Sequence, residues 1–230
     1  MQVVQWVFIV AGAIVQLLLI ATLVRGGYRS FPFLFAYAVA TFLATAVEVA
    51  AILDLMWWSK FTYKYYWIND VILQTLIVLL VLSLVYRSMH EDPRRPFFIR
   101  VLALAVLAIA AISLAVYWDQ PLNHRMTDVA RNLSFGAVLL NLALWMSLIK
   151  HRLPDTRLLM ISGALGIQMA GQAIGHSLRQ LAIPRRSVAL VMTGNVIIAG
   201  AHVACLFLWW QVLRRPEGQV ARVRRAVLEP

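Results

Sequence analysis

The sequence predicts an all-α integral membrane protein, folded as a bundle of seven transmembrane helices. Of its 230 residues 62% are hydrophobic and only 13% are charged, a surface that a soluble domain of this length could not solvate. Seven apolar stretches also reach the ~20 residues that cross a bilayer core. They lie at about 3–24, 31–56, 65–86, 97–117, 129–149, 157–178 and 188–213.

These stretches leave no room for a separate soluble domain. We therefore expect one seven-helix transmembrane domain over residues 1–213 and a basic cytoplasmic tail over residues 214–230. The first stretch begins almost at Met1, with no basic region before it and no small-residue cleavage site after it. This pattern is typical of a retained anchor rather than a cleaved signal peptide.

Basic residues are distributed unevenly between the two sides of the predicted membrane. Fourteen of the 21 Lys and Arg residues fall on the side of the tail, and seven on the other side. Because cytoplasmic loops carry the excess of basic residues, this predicts the N-terminus outside and the C-terminus in the cytoplasm of a bacterial inner (plasma) membrane. The basic residues form short clusters between apolar runs, so we expect them to contact anionic lipid headgroups rather than nucleic acid.

The sixth span carries an unusual polar stripe. Four side chains, spaced by four, four and three residues, fall within about 80° of one helix face; they are Gln168, Gln172, His176 and Arg179. Polar groups in lipid are costly, so this face is expected to meet protein or trapped water. Gly171 and Gly175 flank the stripe and should let another helix approach closely.

Polar residues of other spans fall at matching depths. Counting 1.5 Å per residue from the outer boundary places one set at roughly 12 Å: Glu48, Gln74, Gln172 and Asn195. A second set falls at roughly 6 Å: Asp70, Asn132 and His176. The inner half of these spans is mostly apolar, which predicts a cup open to the outside with a closed base, suited to a small ligand rather than a channel.

We define the polar cup as the predicted ligand-binding residues Glu48, Asp70, Gln74, Asn132, Gln168, Gln172, His176 and Asn195. The alternative is a network of hydrogen bonds that only fixes helix packing. Gln16, deep in the first span, is predicted to bond a neighbouring helix in that way.

Sequence motifs for catalysis are missing. There is no H-E-x-x-H, G-x-S-x-G or P-loop, and no lysine lies within the seventh span to form a retinal Schiff base. A haem held by His176 and His202 is disfavoured because these residues fall at roughly 6 and 21 Å depth. No spacing brings three zinc ligands together. We therefore expect no enzyme activity, no cofactor and no metal.

Three functions remain open at this point. The predicted topology resembles bacterial seven-helix sensor modules, so the leading hypothesis is a receptor-like protein that signals to a separate cytoplasmic partner through helix shifts. A second is a small-solute transporter with a three-plus-one-plus-three helix repeat. A third is a non-catalytic subunit of a larger complex, or a homo-oligomer, docked through the alanine-rich fourth helix.

Overall fold

The computed structural model describes residues 2–52, 61–89, 94–116, 122–150, 156–185 and 187–214. Within them the chain is all-helical, as predicted. Its helices are α1 (Gln2–Val24), α2 (Pro32–Ile52), α3 (Phe61–Ser88), α4 (Arg95–Val116), α5 (Leu122–Lys150), α6 (Thr156–Arg185) and α7 (Val188–Arg214). The tail predicted over residues 214–230 lies outside the described residues apart from Arg214.

Six of these helices contain a stretch long and apolar enough to cross a bilayer. The stretches are Trp6–Val24, Pro32–Ala50, Ile68–Ser88, Arg95–Val116, Thr156–Arg179 and Val188–Arg214. In α5, which has 29 residues, the described residues show a shorter apolar stretch, Asn132–Met146, and the sequence after it continues with Ser147, Leu148 and Ile149. The described part of the chain is thus a multi-pass membrane protein with six candidate spans.

A tight turn joins α1 to α2. Gly26 adopts a φ of 144°, which a side chain would disfavour, and its N–H donates to the carbonyl of Leu23 at 3.2 Å. A short 3-10 turn, Gly27–Arg29, follows. α2 then begins at Pro32. The fixed φ of proline suits the first helical position, where a backbone N–H would have no partner within the helix.

The helices are arranged so that α4 lies outside the main bundle. α1 packs against α2 and α7, α3 against α2 and α5, and α6 against α5 and α7, with a smaller contact between α3 and α6. α4 packs against α5 and α3, and only 6% of its apolar stretch is buried. This peripheral position agrees with its alanine-rich sequence.

The two ends of the bundle differ in packing. We call the end where α1, α3, α5 and α7 finish the arginine end, and the opposite end, which carries Glu48 and Asp70, the carboxylate end. The fully buried large side chains lie mostly toward the arginine end; they include Leu19, Leu23, Leu34, Leu84, Ile161 and Trp209. Toward the carboxylate end, α1 exposes Val7 and Val10 and α2 exposes Glu48.

Trp209 of α7 contacts both α6 and α2 near the arginine end. Its indole Nε1–H donates to the carbonyl of Ile161 on α6 at 2.9 Å. The Tyr37 ring of α2 packs edge-on against it, with centroids 5.8 Å apart and planes at 80°. Both geometries are favourable for a buried indole, so this end of the bundle has a defined base.

The closest helix approach is between α6 and α7, at two glycines. A Cβ built on Gly175 would meet the carbonyl oxygen of Gly194 at 2.6 Å, and a Cβ on Gly194 would meet that of Gly175 at the same distance. A Cβ on Gly171 would collide with the Cβ of Ala201. Small residues therefore let the two backbones touch, as the sequence predicted for Gly171 and Gly175.

Candidate functional site

Polar side chains of α3 and α6 meet at the carboxylate end. Gln74 lies one turn after Asp70, and its side-chain amide donates a hydrogen bond to the Asp70 carboxylate. Asp70 also interacts electrostatically with His176 on α6, and His176 in turn with Arg179. We call these four residues the Asp70 cluster. It combines an anionic group with cationic and amide groups from two different helices.

The Asp70 cluster runs from a buried base to an open rim. Gln74 is only 9% exposed and Asp70 is half-buried, whereas His176 and Arg179 are exposed. Arg179 ends the apolar stretch of α6, so its guanidinium lies where a bilayer interface would be. The rim is therefore not covered by the protein, while the base is enclosed by it.

Glu48 lies at the same end of the bundle, close to Tyr65. Tyr65 precedes the apolar stretch of α3, and burial together with the nearby Glu48 carboxylate raises the pKa of its phenol. Both effects keep the phenol neutral, so Tyr65 retains an O–H that can donate to a carboxylate or to a ligand. Glu48 is itself exposed, which adds a second carboxylate at this end of the bundle.

Gln172 and Asn195 are both half-buried. Gln172 lies one turn before His176 on α6. Asn195 directly follows Gly194, which touches Gly175, so Asn195 lies at the level of His176. Counting residues from the helix ends had placed Asn195 level with Gln172. The difference arises because the glycine contact, and not the length of α7, sets the depth at which the two helices cross.

Asn132 is half-buried on α5, a helix that packs against α3, and it has an interaction partner. Its place in the polar cup remains a prediction.

Gln168 lies deeper than the other residues of the stripe. It is 1% exposed, and its Nε2–H donates to the Tyr37 hydroxyl at 2.7 Å. Its Oε1 is buried and meets no donor among the described atoms. Gln168 therefore belongs to the packed base, where it joins α6 to α2.

Two other buried polar contacts lie below the Asp70 cluster. Gln16 of α1 is 1% exposed and approaches the Nε2 of His202 on α7 at 3.4 Å. This contact agrees with the role predicted for Gln16. On α5, the Asn141 amide donates to the carbonyl of Ser162 at 3.4 Å. Sequence reasoning missed the role of Tyr37, although a phenol in an apolar run signals that a buried partner is needed.

The Asp70 cluster offers several kinds of polar group. Among the side chains that the structure describes, no three His, Cys, Asp or Glu groups lie close enough to hold a metal. The Asp70 cluster instead presents a carboxylate, a guanidinium, an imidazole and an amide. Together they can accept hydrogen bonds from, and donate hydrogen bonds to, a molecule that carries a positive and a negative charge.

Comparison with known proteins identifies no family for this chain. No protein-family model, curated protein or solved structure matches this chain.

Proposed function

We propose that this chain is a receptor-like protein of the bacterial inner membrane that binds a small polar molecule at its carboxylate end. In this proposal α5 is the seventh membrane helix, the N-terminus is outside, and the binding site opens to the outside. The observation that carries the proposal is the convergence of Asp70, Gln74 and His176 from α3 and α6, with an exposed rim above a packed base.

Exposure separates a binding site from a packing network. Buried polar groups that only join helices are expected to be enclosed and paired within the protein, as in the contact between Gln168 and Tyr37. The Asp70 cluster differs because His176 and Arg179 remain exposed at its rim. Ionisable groups within membrane helices face water or a ligand in most functional sites, which favours the binding role here.

The charges of the cluster favour a zwitterionic ligand. Arg179 can donate two parallel hydrogen bonds to a carboxylate or phosphate. Asp70 and Glu48 can accept from an ammonium group. A molecule with a positive and a negative group, of the size of an amino acid, would satisfy both kinds of side chain.

A signal can reach the arginine end through α6. This helix carries His176 at the rim and, two turns away, Gln168 in the base, where Gln168 contacts Tyr37 and Tyr37 packs on Trp209. A shift of α6 on binding would move these contacts, since packed interfaces change by discrete helix shifts. The proposed receiver is a separate cytoplasmic partner.

Binding is tested by thermal shift on the purified full chain with a panel of amino acids, organic acids and sugars. We expect one class, the zwitterions, to raise the melting temperature. Asp70→Asn or His176→Gln is expected to lower affinity by about 10- to 100-fold, since a charged hydrogen bond contributes about 1.5–3 kcal/mol.

Matched controls lie on the same helices. Thr75→Val and Ser177→Ala alter exposed hydroxyls that bond only to their own helix backbone, so both variants should keep the thermal shift. A shift that survives in Asp70→Asn, or that is lost equally in Ser177→Ala, would contradict the proposed site.

A transporter is the second candidate, favoured by polar contacts that continue toward the arginine end. Gln168 with Tyr37 and Gln16 with His202 provide buried hydrogen-bonding groups below the Asp70 cluster. The peripheral α4 also has the position of a linker between two three-helix repeats. Uptake of the stabilising compound into proteoliposomes would select the transporter, and binding without uptake would select the receptor.

The same peripheral helix can serve a protein partner. Most of α4 is exposed in the single chain, so a partner subunit or a second copy could pack there. Stable co-purification of a subunit that is lost on mutating α4, together with no response to any compound in the panel, would favour the role of complex subunit over that of receptor.

A further inference from the structure

We propose that the arginine end holds the headgroup of an anionic phospholipid between the start of α2, the end of α3 and the start of α4. This site lies at the opposite end of the bundle from the Asp70 cluster and does not depend on the proposed receptor function. Two arginines carry it, Arg87 and Arg95.

Arg87 is held in place by α2. Its guanidinium lies 4.6 Å from the centroid of the Phe31 ring, and its Nη1–H donates to the carbonyl of Ser30 at 2.8 Å. The side chain is nevertheless exposed. A guanidinium has five N–H donors, so Arg87 keeps donors for an anion after this contact.

Arg95 is held in a similar way by α3. Its guanidinium stacks over the Tyr86 ring, 3.3 Å from the centroid. Because Tyr86 and Arg87 are adjacent at the end of α3, the two stacked arginines lie on neighbouring helix ends. Stacking fixes the plane of a guanidinium. The Nε of Arg95 is buried and meets no acceptor among the described atoms, so the terminal N–H groups are the ones that would contact phosphate oxygens.

The depth of both arginines matches that of lipid phosphates. The apolar stretch of α3 ends at Ser88, and that of α4 begins at Arg95. Side chains at these boundaries meet the headgroup layer. Arg87 and Arg95 therefore lie at the depth of the lipid phosphates.

The surrounding charge is complementary to an anion. The only carboxylates among the described side chains are Glu48 and Asp70, both at the other end. Further basic side chains border the arginine end and are exposed there: Arg25, Arg29, Arg94, Arg100 and Arg214. The adjoining residues outside the described part include Glu91 and Asp92, whose two charges do not cancel this excess.

Pre-positioning distinguishes a site from diffuse attraction. An unrestrained arginine loses rotamer freedom when it binds a phosphate, whereas a side chain already fixed by a ring loses less. Arg87 and Arg95 should therefore bind more tightly than Arg100, which lies farther along α4. A compact anionic headgroup that contacts both fixed arginines is the expected occupant.

The test measures lipid binding to the purified full chain by native mass spectrometry, with matched titrations of phosphatidylglycerol and phosphatidylcholine. We expect wild-type protein to prefer phosphatidylglycerol. The double variant Arg87→Gln with Arg95→Gln should lower that affinity by about 25-fold, the product of about fivefold for each arginine at a membrane surface. Arg95→Lys keeps the positive charge but loses the paired N–H groups of the guanidinium, so it should also reduce the preference for phosphatidylglycerol.

Arg100→Gln is the matched control, since it removes the same charge from an exposed position on α4. It should lower the affinity clearly less than either Arg87→Gln or Arg95→Gln, because Arg100 lies farther along α4 from the two stacked arginines. Circular dichroism and the melting temperature in detergent report whether each variant is folded, and if the double variant fails to fold, Arg95→Lys carries the test.

Three results would contradict the proposed lipid site. These are equal loss in Arg100→Gln, no preference for phosphatidylglycerol, and full replacement of the lipid by inorganic phosphate. The first would indicate diffuse attraction, and the last would indicate a site for a free anion.

Discussion

Replacing Trp209 by alanine is expected to destabilise the protein by about 4 kcal/mol, the typical cost of removing a buried tryptophan. Trp209 is 0% exposed, donates to the carbonyl of Ile161 and packs on Tyr37. Its loss would leave a cavity where α2, α6 and α7 meet. Thermal or denaturant unfolding of the purified protein in detergent measures the change.

The neighbouring tryptophan is the control. Trp210 is half-buried and packs on Phe207 and under the guanidinium of Arg214. Trp210→Ala should therefore cost much less than Trp209→Ala. Trp209→Phe isolates the hydrogen bond, because it keeps most of the ring but removes the N–H, at an expected cost of about 1 kcal/mol. Equal losses at positions 209 and 210 would show that the base is not packed as described.

Gly175→Ala is expected to destabilise the contact between α6 and α7 by about 2 kcal/mol, in the range found for overpacked cores. The new methyl group would lie 2.6 Å from the carbonyl oxygen of Gly194 and would also collide with Ile198. A backbone carbonyl cannot rotate away as a side chain can, so the helices must separate. Because His176 follows Gly175 directly, binding at the Asp70 cluster should weaken together with stability.

Gly166→Ala makes the same change elsewhere on α6. There a Cβ would meet only the Nδ2 of Asn141, at an ordinary 3.5 Å, and alanine favours a helix over glycine by about 1 kcal/mol. The melting temperature should therefore stay the same or rise. If Gly175→Ala proves as harmless as Gly166→Ala, the close approach of α6 and α7 is wrong.

The helical fold was predictable because the hydrophobic content and the length of the apolar runs constrain it strongly. Helix ends were less predictable, since hydropathy reports where a helix is apolar and not where its hydrogen bonds stop. α3 begins at Phe61, before its predicted span of 65–86, and α6 continues to Arg185, beyond its predicted span of 157–178.

The polar cup as a whole stays a prediction. Counting residues placed Asp70 level with His176, and the two lie close enough for their charges to interact. The sequence could not tell which neighbour each residue of the α6 stripe meets. Helix rotation is set by packing with other helices, so the bond from Gln168 to Tyr37 could be found only in three dimensions.

Cysteine accessibility tests the proposed water-filled cup most directly. The native Cys205 is fully buried, so cysteines introduced singly at Gln172, His176 and Ile174 can be compared in intact cells. Ile174 is 53% exposed, but it is predicted to face lipid, where a thiol does not ionise and reacts slowly. A membrane-impermeant maleimide added outside should label positions 172 and 176 quickly and position 174 slowly. Equal labelling at all three positions, or labelling of position 176 only from the cytoplasmic side, would contradict an outward-facing binding site.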